Sequence, residues 1–304
     1  MRPMTKITLK ALSSIDLNIK KNYRFYRKVQ KIIKAPAKLP YGALDHKIMV
    51  GEREIPIRVF MPEDGSLQKL ILFFHGGGWV IGDIDSYTPV CLALAKELKQ
   101  AVISVDYRLA PEHPFPKGLT DCYHVLQEMV KEADVIGIHP DDITLIGDSA
   151  GGNLAAAVSL LARNKGTFVP KRQVLLYPAT YHDHSPSSPY TSIHENGEDF
   201  ILTTKRIEEY MDLYVPLKKE RRNPYVAPLL AENHEHLPTT LIITAQYDPL
   251  RDEGLDYGEK LRAAGNTVRS FTIKDAIHGY MGTPLAEEAI TKTHTLIKLF
   301  LQET

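Results

Sequence analysis

One serine in this chain stands in the setting that nucleophilic catalysis requires. Ser149 is the centre of the pentapeptide GDSAG at residues 147–151, which follows the apolar run ITLI and precedes the alanine-rich run NLAAAVSLLA. A sharp turn from a strand into a helix would expose the serine hydroxyl, and the flanking glycines lack the Cβ atoms that would clash there. The free N–H groups of the helix N-terminus would lie beside the serine oxygen. The pattern indicates a nucleophile; the alternative is a serine that only caps the helix.

A serine hydroxyl is a poor nucleophile until a base takes its proton, so the chain must also supply a histidine that an acid orients. The histidines after Ser149 are His182, His184, His194, His234, His236, His278 and His294. His278 alone follows the last strand-like run and lies in a loop that contains glycine, which makes it the predicted base. His294 lies in the final helical run, where we expect a surface position.

The acid is expected between the serine and the histidine along the chain, in the order Ser, Asp or Glu, His. Asp248 ends a strand-like run, and one helix and one strand separate it from His278, which would bring both to the same edge of a sheet. Asp252 and Glu253 are the alternative acids. They fall at the start of the next helical run, where acidic residues commonly cap, and Asp248 is therefore preferred.

The glycine-rich segment HGGGW at residues 75–79 follows another apolar run and could stabilise an oxyanion. Consecutive glycines allow backbone N–H groups to turn inward, and the N–H of Ala150, directly after the nucleophile, would add a further donor. The alternative is a phosphate-binding loop, but no Lys-Ser/Thr pair follows as such a loop requires. We expect His75 to orient this segment by a hydrogen bond, and action as a second base is the less favoured role.

The overall composition disfavours several classes of protein. The 304 residues carry 37 basic and 37 acidic side chains, so a global basic surface for nucleic acid is absent. Neither a signal-peptide core nor an apolar run long enough to span a membrane is visible, and we predict a soluble, cytoplasmic protein. The two cysteines, Cys91 and Cys122, fall in helical runs and are predicted to be buried, reduced thiols. No cofactor is predicted.

Two pairs of histidines raise a metal site as an alternative. One residue separates the two histidines of each pair, and the four are His182, His184, His234 and His236. No acidic or cysteine partner recurs at ligand spacing. We expect these side chains to be solvated in polar loops, and no metal is predicted.

Strand-like and helical runs alternate through most of the chain. Two β-rich runs around Gly51 suggest an antiparallel hairpin, and further short apolar runs are separated by helical ones. This alternation predicts an α/β fold with a mostly parallel sheet covered on both faces. Residues 1–40 are predicted to form an N-terminal helical cap segment, and residues 41–304 the catalytic domain. The polar, proline-rich insertion at about residues 181–224 is expected to contribute to the cap.

The apolar side chains of the N-terminal segment need a surface to pack on, because the segment is too short for a core of its own. Together with the insertion they would cover the mouth of the site and enclose a dry acyl pocket. These side chains are Ile15, Leu17, Tyr23, Phe25 and Tyr26.

Five segments in order resemble the hormone-sensitive-lipase-like (bacterial family IV type) carboxylesterases of the α/β-hydrolase superfamily. They are HGGGW, DYRLAPEHPFP, GDSAGGNLA, YDPLRDEG and HGY, and they extend from about residue 70 to 282. The resemblance implies an eight-stranded sheet, a helical cap, and hydrolysis of short- to medium-chain acyl esters through an acyl-enzyme without a cofactor. It implies that Ser149 is the nucleophile, Asp248 the acid and His278 the base. It also implies that the oxyanion donors are Gly77, Gly78 and Ala150.

The same motifs leave two other functions open. An amidase or formamidase would use the same triad, and plant gibberellin receptors share the fold without catalysis, although they lack the histidine that this chain has as His278. The expected partner is a small acyl ester. We predict no nucleic acid partner and no membrane span, and a homodimer is considered possible. Asp106 and Arg108 also match the family and are expected to form an internal ion pair that braces the oxyanion loop.

Overall fold

The computed structural model describes most of the chain. The described residues are 10, 13–14, 16–36, 38–39, 42–65, 67–283 and 286–304. Ile15, one of the apolar side chains assigned to the cap, lies outside them.

An eight-stranded sheet forms the centre of the described chain. Its strands are β1 (Ala43–Val50), β2 (Arg53–Phe60), β3 (Leu70–Phe74), β4 (Ala101–Val105), β5 (Ile143–Asp148), β6 (Arg172–Leu176), β7 (Thr239–Tyr247) and β8 (Val268–Ile277). They lie in the order β1-β2-β4-β3-β5-β6-β7-β8. β1 and β2 form the predicted hairpin around Gly51, β2 is also antiparallel to β4, and the other neighbouring pairs are parallel. The predicted fold, with its mostly parallel eight-stranded sheet, is confirmed.

Helices cover both faces of this sheet. They are α1 (Ile19–Lys34), α2 (Thr88–Leu98), α3 (Lys117–Lys131), α4 (Ala133–Ile136), α5 (Ala150–Asn164), α6 (Thr191–Asn196), α7 (Thr204–Tyr214), α8 (Arg251–Ala263) and α9 (Glu287–Glu303), with 3₁₀ turns at Pro140–Asp142, Lys218–Arg222, Pro228–Leu230 and Tyr280–Gly282. Strands β3 to β5 are buried along their whole length, which explains their near-continuous apolar sequences. In the part of the chain described here, no helix is long and apolar enough to cross a bilayer.

The core has two layers, one on each face of the sheet, and each contains one cysteine. Cys122 of α3 packs with α5 and α8, and Cys91 of α2 packs with α9. Both thiols are free and buried, as predicted. Burial raises the pKa of both thiols, so they stay protonated at neutral pH.

His294 contradicts its prediction. Its side chain is 8% exposed, because it lies on the face of α9 that packs against α2. Burial lowers the pKa of its imidazole. A helical run near the end of a chain therefore need not present its polar residues to solvent.

The paired histidines are not all in solvated loops, contrary to expectation. His184 and His234 are buried. The Nε2 of His234 lies 3.0 Å from the carbonyl oxygen of Pro228, and the Nε2 of His184 lies 2.8 Å from the carboxylate of Glu253. Polar partners inside the fold therefore hold both imidazoles away from water. Across the described ranges, no three His, Cys, Asp or Glu side chains are arranged to hold a metal ion.

The helix α1 packs against α7, which belongs to the insertion between β6 and β7. The backbone N–H of Ile19 donates to Oε2 of Glu209 over 2.8 Å, and Lys20 forms an ion pair with Asp212. Two segments that are far apart in sequence therefore form one surface over the C-terminal edge of the sheet.

The apolar side chains of the N-terminal segment differ in their burial. Leu17, Tyr23 and Tyr26 are partly buried against the core. Phe25 is 62% exposed and Ile32 is 81% exposed. The two lie seven positions apart on the outward face of α1, so the expected burial of Phe25 is wrong.

Candidate active site

Ser149 lies in a tight turn between β5 and α5. Its φ of 55° and ψ of −118° are rare for a residue with a side chain, and its N–H donates to the carbonyl oxygen of Leu176 over 2.8 Å. A Cβ on Gly151 would lie 1.9 Å from the carbonyl oxygen of Phe74, so only glycine fits this position. The turn brings α5 close against β3 and leaves the serine hydroxyl facing a cavity.

His278 links the serine to an acid. Its Nε2 lies 2.8 Å from Ser149 Oγ, and its Nδ1 lies 2.8 Å from Asp248 Oδ2. A carboxylate only accepts hydrogen bonds, so Nδ1 carries the proton and Nε2 is left to accept from the serine. Asp248 is fully buried, and its Oδ1 accepts from the N–H of Leu250 over 2.9 Å. This arrangement can pass a proton from the serine to the imidazole.

The two alternative acids contact other groups. Asp252 accepts from the N–H of Ser192 over 2.7 Å. Glu253 is fully buried, and one of its oxygens accepts from the N–H groups of Thr180 and Tyr181 over 2.6 and 3.0 Å. Both carboxylates hold the loop after β6 against α8, and neither contacts the imidazole that Asp248 orients.

The glycine-rich segment after β3 lines the same cavity as Ser149. Gly77 and Gly78 have φ values of 111° and 61°, which side chains rarely adopt. Gly78 also lies beneath the ring of Tyr210 from α7, where an added Cβ would be 2.4 Å from Cγ. Among the described residues no acceptor takes the N–H of Gly77, Gly78 or Ala150. These three donors are therefore available to a bound oxygen.

Asp148, next to Ser149, joins the serine turn to the glycine-rich segment, and sequence reasoning missed this role. Its Oδ1 accepts from the N–H of Gly76 over 2.8 Å, and its Oδ2 accepts from the hydroxyl groups of Tyr87 and Tyr177 over 3.0 and 3.4 Å. Burial raises its pKa to about 6, although the Tyr87 hydroxyl and the Gly76 N–H oppose the rise. The sequence did contain a signal of this role, because a carboxylate at the end of a buried strand needs hydrogen-bond partners inside the fold.

His75 lies beneath this segment, away from the cavity. It is fully buried, its ring stacks on Tyr107 at 4.3 Å, and its Nδ1–H donates to the carbonyl oxygen of Gly76 over 2.8 Å. Burial lowers the pKa of the imidazole to about 4, so it is neutral at physiological pH. The geometry suits the expected orienting role.

The expected ion pair between Asp106 and Arg108 is absent. Arg108 instead donates through Nη2 and its backbone N–H to the two oxygens of Asp121, over 2.8 and 2.9 Å. Asp121 is fully buried on α3 and also pairs with Arg53 at 2.5 Å, so it is the acceptor at the centre of this cluster. Burial raises the pKa of Asp106 to about 6.

The helix α1 holds the end of the glycine-rich segment by direct hydrogen bonds. Arg27 donates through Nε to the carbonyl oxygen of Val80 and through Nη2 to that of Ala110, each over 2.7 Å. The side-chain oxygen of Gln30 accepts from the N–H of Gly82 over 3.1 Å. Sequence reasoning missed these contacts because nothing in the periodicity of α1 indicates which loop its polar face meets.

The cavity at Ser149 has a volume of about 370 Å³. Its apolar wall includes side chains from the N-terminal segment and from the insertion, among them Leu17, Ile19, Val29, Ile201, Leu202 and Ile207. An apolar pocket with a few convergent polar groups is the usual form of a small-molecule site.

A family model described as the alpha/beta hydrolase fold matches residues 71–282. The chain belongs to this family. Curated relatives of this hydrolase include an arylesterase from Saccharolobus solfataricus, which is 35% identical over 275 residues that cover 88% of each chain. The carboxylesterase NlhH from Mycobacterium tuberculosis is 37% identical over 249 residues, which cover 79% of this hydrolase and 76% of NlhH.

Solved structures show the same likeness over nearly the whole chain. An esterase from Pyrobaculum calidifontis matches the hydrolase with a TM-score of 0.87 and 32% identity, and the match covers 100% of the hydrolase and 98% of the esterase. The predicted membership in the hormone-sensitive-lipase-like branch is confirmed by the family match and the esterase relatives.

Proposed function

We propose that this hydrolase is a serine carboxylesterase with Ser149 as nucleophile, His278 as base and Asp248 as the orienting acid. The chain is a carboxylic ester hydrolase, the activity that the names of its relatives share. The observation that carries the residue assignment is the continuous series of contacts from Ser149 through His278 to Asp248, each 2.8 Å long.

Hydrolysis proceeds in two steps. Ser149 Oγ first attacks the carbonyl carbon while His278 Nε2 takes its proton; the bond to the alcohol oxygen then breaks, and His278 returns the proton to that oxygen. Water next attacks the acyl carbonyl carbon while His278 Nε2 takes a proton from it. The bond to Ser149 Oγ then breaks, His278 returns the proton to Oγ, and the carboxylic acid leaves. Asp248 keeps Nδ1 protonated and stabilises the imidazolium in both steps.

We assign the oxyanion of each tetrahedral intermediate to the backbone N–H groups of Gly77, Gly78 and Ala150. What supports this is that all three residues line the cavity of Ser149 and that their donors have no acceptor among the described residues. Donors set in place before the reaction need no rearrangement when charge develops, and each contributes about 3 kcal/mol to the stability of the transition state.

We propose that α1 and the insertion at residues 181–224 act as a cap on a catalytic domain of residues 41–304. Their apolar side chains enclose the 370 Å³ cavity. An enclosed pocket favours short- to medium-chain acyl esters over long triglyceride chains, and the family resemblance implies a limit of about eight carbons. Every residue assigned to the site comes from one chain, so the proposal does not require a homodimer.

The experiment that tests the nucleophile is labelling by an organophosphonate ester, followed by peptide mass spectrometry. The label should attach to Ser149 alone, and Ser149→Ala should neither be labelled nor turn over 4-nitrophenyl butyrate above the residual level expected from the oxyanion donors. Labelling of another residue would overturn the assignment.

Amide and ester substrates separate the two enzymatic functions. We expect turnover of a 4-nitrophenyl ester and much slower turnover of the 4-nitroanilide with the same acyl group. Faster turnover of the anilide would establish an amidase instead. Absence of both labelling at Ser149 and turnover of either substrate would support the receptor alternative.

A further inference from the structure

A lysine in the wall of the substrate cavity has no partner among the residues that the structure describes. Lys34 ends α1 and lines the cavity of Ser149. Its Nζ lies so near Gly282 that a Cβ added there would be 3.0 Å away. Over the described ranges, no ion pair or hydrogen bond engages this ammonium group. By contrast Lys31, one turn earlier, pairs with Asp85 at 2.6 Å.

The described lining of the cavity contains two cations, Lys34 and Arg206, and one carboxylate. Arg206 is a second cation in the wall, and its guanidinium donates to main-chain carbonyl oxygens. Of the described residues that line the cavity, only Asp148 is a carboxylate, and the Gly76 N–H and the Tyr87 hydroxyl already bond to it. Burial raises the pKa of Asp148, and the charge of Lys34 is one of those that oppose the rise. The positive field of Lys34 therefore extends into the site.

The position of Lys34 indicates which part of a substrate it would meet. The alcohol oxygen of the ester takes its proton from His278 Nε2, so the alcohol part must lie beside His278. The residues that follow His278, among them Gly279, Gly282 and Thr283, also line the cavity. Lys34 Nζ lies against one of them, Gly282, and we therefore assign the ammonium group to the alcohol side.

We propose that Lys34 binds a carboxylate on the alcohol part of the ester, so that the preferred substrates are acyl esters of hydroxy acids. This inference rests on the proposed function. A half-buried ammonium group that has no partner among the described residues gains most from a single negative charge, since the wall of the cavity is mostly apolar.

Two pairs of esters test the charge and its location. The first pair is 3-acetoxybenzoate and 3-methylphenyl acetate, which differ by a carboxylate on the alcohol part. The second is mono-4-nitrophenyl adipate and 4-nitrophenyl hexanoate, which differ by a carboxylate on the acyl part. The measured quantity is the ratio of kcat/KM for the charged ester to that for the neutral ester of each pair.

Three variants on α1 accompany the wild-type enzyme. Lys34→Met removes the charge, Lys34→Arg keeps it, and Lys28→Met removes an exposed charge of the same helix that does not line the cavity. We expect Lys34→Met to lower the 3-acetoxybenzoate ratio about tenfold, as loss of a partly buried ion pair would, while Lys34→Arg and Lys28→Met leave it within about twofold. Added salt should reduce the wild-type ratio, and it should have little effect on Lys34→Met.

The outcomes separate this inference from the function on which it rests. If 3-methylphenyl acetate is not hydrolysed in a Ser149-dependent manner, the proposed function fails. If it is hydrolysed but Lys34→Met and Lys28→Met change the 3-acetoxybenzoate ratio equally, Lys34 does not bind the carboxylate. If Lys34→Met lowers the adipate ratio more than the 3-acetoxybenzoate ratio, Lys34 binds a carboxylate on the acyl part, and the assignment to the alcohol part is overturned.

Discussion

The N–H of Gly76 donates to the carboxylate of Asp148 over 2.8 Å, and this bond joins the glycine-rich segment to the turn that carries Ser149. The carboxylate is fixed from the other side by Tyr87. One buried acid therefore links the glycine-rich segment to the turn of Ser149, in addition to the support that the segment receives from α1.

The burial of Asp148 should make the stability of the enzyme depend on pH. Its pKa is raised from 3.8 to about 6, so the folded state binds the proton more tightly than the unfolded state. The corresponding stability is present below pH 3.8 and is lost as pH rises to about 6, a change of up to about 3 kcal/mol at about 1.4 kcal/mol per pKa unit. Asp148→Asn should not show this loss in urea unfolding, and Tyr87→Phe should extend it to higher pH. Parallel pH dependences of Asp148→Asn and wild type would contradict the prediction.

The backbone of Ser149 should cost the folded state stability. A φ of 55° with a ψ of −118° is strained for alanine and open to glycine. We expect Ser149→Gly to be about 1 kcal/mol more stable than Ser149→Ala by urea unfolding, since both lack the hydroxyl. Ser159 lies inside α5, where the same two substitutions should give the opposite order. If the glycine variant is less stable than the alanine variant at both positions, the turn at Ser149 is not strained.

The hydrogen bonds of Arg27 should affect catalysis through the glycine-rich segment. Without the donors to Val80 and Ala110, the oxyanion N–H groups lose a support. We expect Arg27→Met to lower kcat for 4-nitrophenyl acetate about tenfold, a part of what loss of one oxyanion donor costs. Arg24→Met is the control, because Arg24 is 76% exposed on the same helix and contacts no backbone carbonyl of that segment. An equal loss of kcat in Arg27→Met and Arg24→Met would mean that α1 stabilises the fold but does not position the glycine-rich segment.

The acyl-length preference should respond to the cavity wall of α1. Val29 lines the cavity, so Val29→Ala removes methyl groups that a longer acyl chain can contact. With about 0.8 kcal/mol per buried methylene, kcat/KM for 4-nitrophenyl hexanoate should fall about three- to tenfold relative to the acetate. Ile32→Ala, at a position 81% exposed on the same helix, should leave the ratio of the two esters unchanged. A fall of the same size for both esters would show that Val29 does not contact the acyl chain.

Much of the fold was predictable because strand and helix patterns alternate with few interruptions. Parallel strands share one carboxyl edge, so the ends of β5 and β7 and the loop after β8 had to bring Ser149, Asp248 and His278 near each other. The turn around the nucleophile was predictable for a local reason, since Gly151 is required by its closeness to Phe74.

The other features depend on partners that are distant in sequence. Periodicity could not reveal that Arg108 pairs with Asp121 instead of Asp106, since only packing of α3 decides which carboxylate is nearest. It likewise assigned Phe25 to the interior, because an amphipathic pattern does not tell which stripe of α1 faces the sheet. Residues of the N-terminal segment that touch the cavity, such as Lys34, became recognisable only once α1 was placed against it.

The placement of the two cysteines gives the enzyme a built-in reporter of its own opening. Cys91 and Cys122 are completely shielded and belong to opposite layers of the core. A thiol reagent can therefore react only when one of the layers separates from the sheet, and the reaction rate measures that event under native conditions. With Cys122→Ala the rate reports the layer of α2 and α9. With Cys91→Ala it reports the layer of α3, α5 and α8, so the opening of each layer can be measured separately without any added label.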